Sequence, residues 1–308
     1  MSFVRTVLGD IPPAHFGTCD AHEHLIIDPG FPTQGTPDFL LDDVEKAVDE
    51  VNRFRRDGGR AIVDSMPCDA GRNVLKLAEI SRRTGVHVVC PTGVHLAKYY
   101  DPGHWSGAYS EGELAALFTG EIERGVDARD CNGPFARPTE HRAGVIKIAT
   151  GTAFTPREER IFAAAAAAHR STGCPILTHT EEGTLALEQI ERLRRGGVAL
   201  DRVCLSHTDR RPDVAYHREI LASGVCVEFD SAFRWKPEQG NPTRDLVLAL
   251  IGDFPDQIML GMDAARRRYW RSYGGGPGLS FLLTDFAAQL RTAGVTDDQL
   301  DRIFVCTP

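Results

Sequence analysis

No apolar run in the 308-residue chain approaches the ~18 residues of a membrane span; "FAAAAAA" at 162–168 reads as an alanine-rich helix face. The opening "MSFVRTVLGDIPP" lacks the apolar core of a secretory signal, so a cytoplasmic protein is expected. Basic residues are in deficit, 35 Lys and Arg against 43 Asp and Glu. The resulting charge of −8 argues against nucleic acid or an anionic membrane as main partner. None of the eight cysteines forms a C-x-x-C pair. Cys19, Cys90, Cys174, Cys204 and Cys226 fall in runs read below as strands, where a free thiol acts as a small apolar group. A reducing compartment follows. G-x-S-x-G is also missing, which leaves a serine or cysteine hydrolase of unrelated fold without support.

What is present is an alternation. Eight short β-rich runs cover 16–27, 60–66, 86–93, 143–150, 174–180, 202–208, 224–230 and 257–263. Between them lie amphipathic segments such as "LLDDVEKAVDEVNRFRRD" and "PREERIFAAAAAAHRSTG", several closed by glycine. Strand then helix, eight times over, predicts an α/β (β/α)8 TIM barrel as a single domain over residues 1–308. An open doubly wound sheet is the other architecture this alternation permits. The one long irregular insertion, 126–142, is expected at the N-terminal end of the strands, in a capping or oligomer role.

Barrel enzymes carry their chemistry at the C-terminal strand ends. There the sequence places His22 and His24, Lys147, His179, His207 and Asp263. His22 and His24 are two apart and so share a strand face. A single histidine in an apolar run is usually a satisfied core residue. Four histidines, an aspartate and a lysine at matching ends would be costly to bury unpaired, and a metal centre removes that cost. Imidazole and carboxylate suit Zn²⁺, and also Mn²⁺, Co²⁺ or Fe²⁺. Six candidates exceed one tetrahedral site and point to two metals with an anionic bridge. Lys147, in "AGVIKIAT", can supply that bridge by losing its proton and reacting with CO₂ to form a carbamate, which burial beside cations favours. The alternative is an ammonium paired with Asp263 or Glu228.

"HEH" on the first strand, "GVIKIAT", "THT", "SHTD" and "GMD" together resemble the phosphotriesterase family of the amidohydrolase superfamily, over nearly the whole chain. The resemblance implies that His22, His24 and Asp263 hold the more buried metal and His179 and His207 the more exposed one. Carbamylated Lys147 would bridge them, and Asp263 would accept the proton of the attacking water. A homodimer is common among such proteins. Relatives usually continue past "IFVCTP"; if the end is natural, the closing helix contacts are affected but the metal site is not.

His95 follows strand three, where relatives acting on organophosphates or acyl-homoserine lactones usually carry an aromatic residue. The wider pattern looks more like the branch that opens sugar-phosphate lactones. Arg266, Arg267, Arg268 and Arg271 cluster beyond Asp263, and guanidinium matches phosphate or carboxylate in bidentate fashion. Arg266 and Tyr269, with Lys236 and His95, are therefore the expected contacts to a small anionic lactone or ester. "GGGPG" at 274–278 is expected to shape the loop rather than to bind an anion. Two other readings stay open: a hydrolase of organophosphates or hydrophobic lactones, and a barrel that binds without catalysis.

Overall fold

The computed structural model describes residues 2–133 and 135–307. A short antiparallel hairpin, β1 (Val4–Thr6) and β2 (Gly9–Ile11), precedes the rest. Nine parallel segments follow: β3 (Cys19–Glu23), β4 (Ala61–Asp64), β5 (His87–Val89), β6 (Pro91–Gly93), β7 (Val145–Thr150), β8 (Ile176–Thr180), β9 (Val203–Ser206), β10 (Cys226–Phe229) and β11 (Ile258–Leu260). The hydrogen-bonded orders are β3-β4-β5 and β6 through β11. β5 and β6 are two halves of one strand, parted at Cys90, where Pro91 has no N–H to give to a ladder. The eight strand units are those expected, each shorter than its apolar run.

The sheet closes on itself. The amides of Met262 and Asp263 donate to the His22 carbonyl at 3.2 and 2.8 Å, joining the last strand to the first. That seam is why the fold is a (β/α)8 barrel and not an open sheet. It also needs Gly261, where an added Cβ would lie 2.6 Å from Glu228 Oε1 and 2.7 Å from His22 Cβ. Gly261→Ala should therefore cost roughly 1–3 kcal/mol through overpacking. Urea unfolding measures it, and a stability equal to the parent would remove the close-approach argument.

Local signals set the helices around the barrel. Asp43 caps Val44–Arg56, accepting from the amides of Glu45 and Lys46, and Ala47, Val51 and Phe54 bury one stripe. Pro156–Thr172 opens with a Thr155/Glu158 capping box and stops at Gly173 in the left-handed conformation. The "FAAAAAA" stretch lies in it, mostly buried.

Period two divides the barrel interior by depth. Val145, Leu177 and Cys204 belong to an apolar floor together with Phe16, Cys19, Ala61 and Val89. Two residues further along the same strands stand Lys147, His179 and Ser206, all buried. Ile146 and Ile148, between them, face the helices instead. The lysine of "AGVIKIAT" thus rises from an apolar floor into a polar upper layer.

The 126–142 insertion differs from its expected place. Its tip reaches the catalytic-end loop after β4: the Asp69 amide donates to Asp130 Oδ2 at 2.8 Å, and Arg72 Nε to Asp130 Oδ1 at 2.7 Å. Buried Arg72 is the reason, since it draws Glu121 and Asp130 to one guanidinium. Pro134, within this segment, lies outside the described residues.

Candidate metal centre

The strand ends bring the six expected residues into one cluster. Ring centroids are 4.7 Å apart for His22 and His207 and 4.5 Å for His179 and His207. Asp263 Oδ1 lies 3.2 Å from His24 Nε2 and 3.9 Å from His22 Nε2. Donor atoms of His22, His24 and Asp263 all fall within 4.8 Å of one another, close enough to share an ion. His207 and Asp263 hold left-handed backbones, φ 65° and 45°, a strain that persists where surrounding structure fixes a functional group.

Three of the four histidines are aimed by a partner beside them. Glu228 Oε2 and Ser206 Oγ both lie 3.1 Å from His22 Nδ1, and Asp230 Oδ2 takes the Nδ1–H of His207. Both rings are left with Nε2 for a ligand role. His179 is turned the other way: its Nε2 bonds Glu181 Oε2 at 2.9 Å, freeing Nδ1. Glu228 and Asp230 also crowd His22 and His207 closely enough to be ligands themselves. Their bonds to the Nδ1 atoms assign them to orientation. Deeper still, Glu23 accepts from the His24 and Ala264 amides and Asp20 from those of His22 and Met262, tying the ligand-bearing backbones together.

The electrostatics suit a cation. Burial first, then the positive charge of Lys147 and neighbouring rings, pushes His22 and His95 well below the ordinary imidazole range. Burial and Arg210 do the same for His207, and burial takes His179 to about 4 even against Glu181. Neutral imidazole is the metal-binding form. Lys147 Nζ and His24 Nδ1 are buried with no hydrogen-bond partner. Burial also lowers Lys147 to about 8, against the pull of Glu228 and Asp263. No ion pair joins Lys147 to either carboxylate among the described residues, so the pairing that would make it an ordinary buried ammonium is not formed. An orphaned amine beside converging neutral imidazoles and a carboxylate is a donor set that divalent ions would satisfy.

A cavity of about 390 Å³ opens above the cluster. His95 stands on its wall, 4.3 Å from the Tyr99 ring and 5.0 Å from His179. Arg266, Arg268 and Tyr269 line the far side. Burial pushes the Tyr269 phenol up, but Arg268, Arg234 and Arg266 outweigh it and the net shift is downward, the mark of a positive field. Arg267 and Arg271 turn away, towards the Leu40 and Pro277 carbonyls. Lys236 does not join this wall; it is exposed and outside the cavity lining, while Arg234, two residues earlier, is inside it. The amides of "GGGPG" are used in the loop: Gly275, Gly276 and Gly278 donate to the carbonyls of Trp270, Arg268 and Tyr269. A larger hollow, about 620 Å³, lies at the opposite end, lined in part by the apolar floor.

Residue patterns alone did not disclose Arg210, Arg234, Glu181 or Asp230. Glu181 could have been found two places after His179 in "THTEE" and Arg210 three after His207 in "SHTDR". Both looked like ordinary loop charges.

The phosphotriesterase family profile matches residues 2–308. A phospho-furanose lactonase of Mycoplasmopsis agalactiae is 35% identical, covering 99% of this chain and 90% of that one. The crystal structure of an amidohydrolase from Mycoplasma synoviae superposes with a TM-score of 0.94 at 34% identity, covering 99% of this chain and 90% of the other. A lactonase from Listeria monocytogenes gives 0.90 at 32%, covering 100% and 98%. With the barrel, the converging ligands and this breadth of similarity, the chain belongs to the phosphotriesterase family and is a metal-dependent ester hydrolase.

Proposed function

We propose that this chain is a cytoplasmic lactonase that opens phosphorylated sugar lactones, using two divalent ions, with zinc the first choice, in one barrel domain spanning residues 1–308. The carrying observation is the arginine-rich wall of Arg266, Arg268 and Tyr269 facing the imidazole cluster across one cavity. His22, His24 and Asp263 would hold one ion, His179 and His207 the other, with Lys147, as a carbamate, between them. Two ions so held would polarise the ester carbonyl and lower the pKa of an attacking water to about 7.

The residues supply the rest. Asp263 presents Oδ1 to the histidines and is placed to take the water's proton; Arg210 and Arg234 hold its Oδ2 at 2.8 and 2.9 Å, which fixes the carboxylate plane. His95 and Tyr99 narrow the wall beside His179. Arg266 and Tyr269 receive the phosphate at the remote end, so binding energy far from the bond being broken orients the ring. The eight free thiols fit a reducing compartment, and no helix among the described residues is long and apolar enough to cross a membrane.

Metal-loaded enzyme should open five-membered sugar lactones bearing a terminal phosphate with a kcat/KM at least ~10²-fold above their unphosphorylated counterparts. In Arg266→Met that ratio should shrink by roughly 10–100-fold, the worth of a charge-assisted contact. Equal or better turnover of hydrophobic lactones by the parent enzyme would sink the phosphate clamp and move the assignment to the organophosphate and hydrophobic-lactone branch.

A further inference from the structure

Two guanidiniums stand at the inner end of the cavity, against the ligand cluster. Arg234 is committed there on both terminal nitrogens. Its Nη1 donates to the carbonyl and Oδ1 of Asp230 at 2.6 and 3.1 Å, and its Nη2 to the carbonyl and Oδ2 of Asp263 at 2.5 and 2.9 Å. Arg210 is committed on one nitrogen only. Its Nη2 reaches Asp230 Oδ1 at 3.2 Å and Asp263 Oδ2 at 2.8 Å, and lies 3.0 Å from His207 Nδ1. Its Nε and Nη1 make no hydrogen bond among the described residues, although the side chain lines the cavity and is 30% exposed there.

The two carboxylates and two guanidiniums balance in charge, so Asp230 and Asp263 do not leave a net negative field at this spot. A guanidinium held rigidly through Nη2, with Nε–H and the Nη1 protons left over at a cavity wall, keeps charge-assisted donors for a carboxylate oxygen. Ester opening makes such a group at this end. Water adds to the carbonyl carbon, the bond to the ring oxygen breaks, and that oxygen takes a proton to become a hydroxyl. The acyl carbon is left as a carboxylate and one proton is released.

We propose that the unpaired N–H groups of Arg210 are a second anion-recognition position, at the reacting end of the cavity, that receives the carboxylate of the ring-opened hydroxy acid. This rests on the lactonase reading above. Together with Arg266 and Tyr269 it makes the cavity two-ended, matched to a molecule with a carboxylate at one terminus and a phosphate at the other. Arg210 then governs product affinity and release, while Arg234 acts only to position Asp263.

The test uses metal-loaded enzyme and three competitive inhibitors: a five-carbon polyol phosphate, an unphosphorylated aldonate, and the aldonate phosphate. Arg210→Lys keeps the charge and one contact to Asp263 but loses the donors left over for a ligand. It should raise the inhibition constants of both aldonates ~10-fold and that of the polyol phosphate less than ~2-fold, with metal content unchanged. Arg210→Gln, neutral and of similar length, should show the same selectivity. Equal shifts for all three ligands, no shift, or loss of metal from the lysine variant would overturn the proposal and leave Arg210 with its positioning of Asp263 alone. If the parent enzyme ignores the phosphate group or opens no sugar lactone, the lactonase reading fails on its own, in a measurement without any Arg210 variant.

Discussion

Lys147→Ala is expected to drop metal content from two ions per chain to fewer than one. Its kcat/KM should fall by more than the ~10–100-fold that outer partners of metal ligands cost. Lys147 is 1% exposed, sits among neutral imidazoles and carboxylates, and has no hydrogen-bond partner for Nζ. A buried ammonium there without an ion pair would be costly, whereas an anionic carbamate among cations would not. Alanine would remove that anion and leave a void at the same place. Small carboxylates such as acetate, added at millimolar levels, should therefore restore part of both metal content and rate. Metal analysis beside kinetics decides it: a Lys147→Met enzyme with two ions and parental turnover would end the bridging role.

Arg72→Met should cost about 3–5 kcal/mol, the penalty for stripping one member from a buried ion cluster. Arg72 is 2% exposed. It donates to both oxygens of Glu121 at 2.8 and 2.7 Å, to Asp130 and to the Pro91 carbonyl. Burial pushes Asp130 up to about 7 despite Arg72, which shows how little water serves this carboxylate. The loss should be read from urea unfolding and compared with the double variant Arg72→Met/Glu121→Gln. If the second change adds its full separate cost instead of returning part of the first, the two groups are not coupled and the argument falls.

Position along a strand made the convergence of six residues legible. A strand end and a two-residue period are local properties, so His22, His24, Lys147, His179, His207 and Asp263 could be read without knowing what they face. The eight strand units were legible for the same reason, although the β1–β2 hairpin was not, because three-residue strands have no alternation to detect. Loops carry no period. Nothing in "FRWK" says that Arg234 turns inward and Lys236 does not, because that choice depends on Asp230 and Asp263 from two different strands. The carboxylates behind the histidines were hidden in part: the sequence offers Glu228 only as a partner for Lys147 and gives no sign of Asp230, until β10 lies beside β9 and across from β3. The insertion was misplaced because order along the chain fixes where a segment starts and not where its tip goes.

The seam between β3 and β11 has a consequence for the making of the protein. His22 and Asp263, whose backbones meet there, are supplied by opposite ends of the chain. A ribosome that has translated most of the sequence has released His22 and His24 and not Asp263, the third member of the proposed ligand set. On that ligand set, metal capture would come last in synthesis and act as a clasp on the finished ring. A chain cut short anywhere before residue 263 lacks both the fastening and the catalyst.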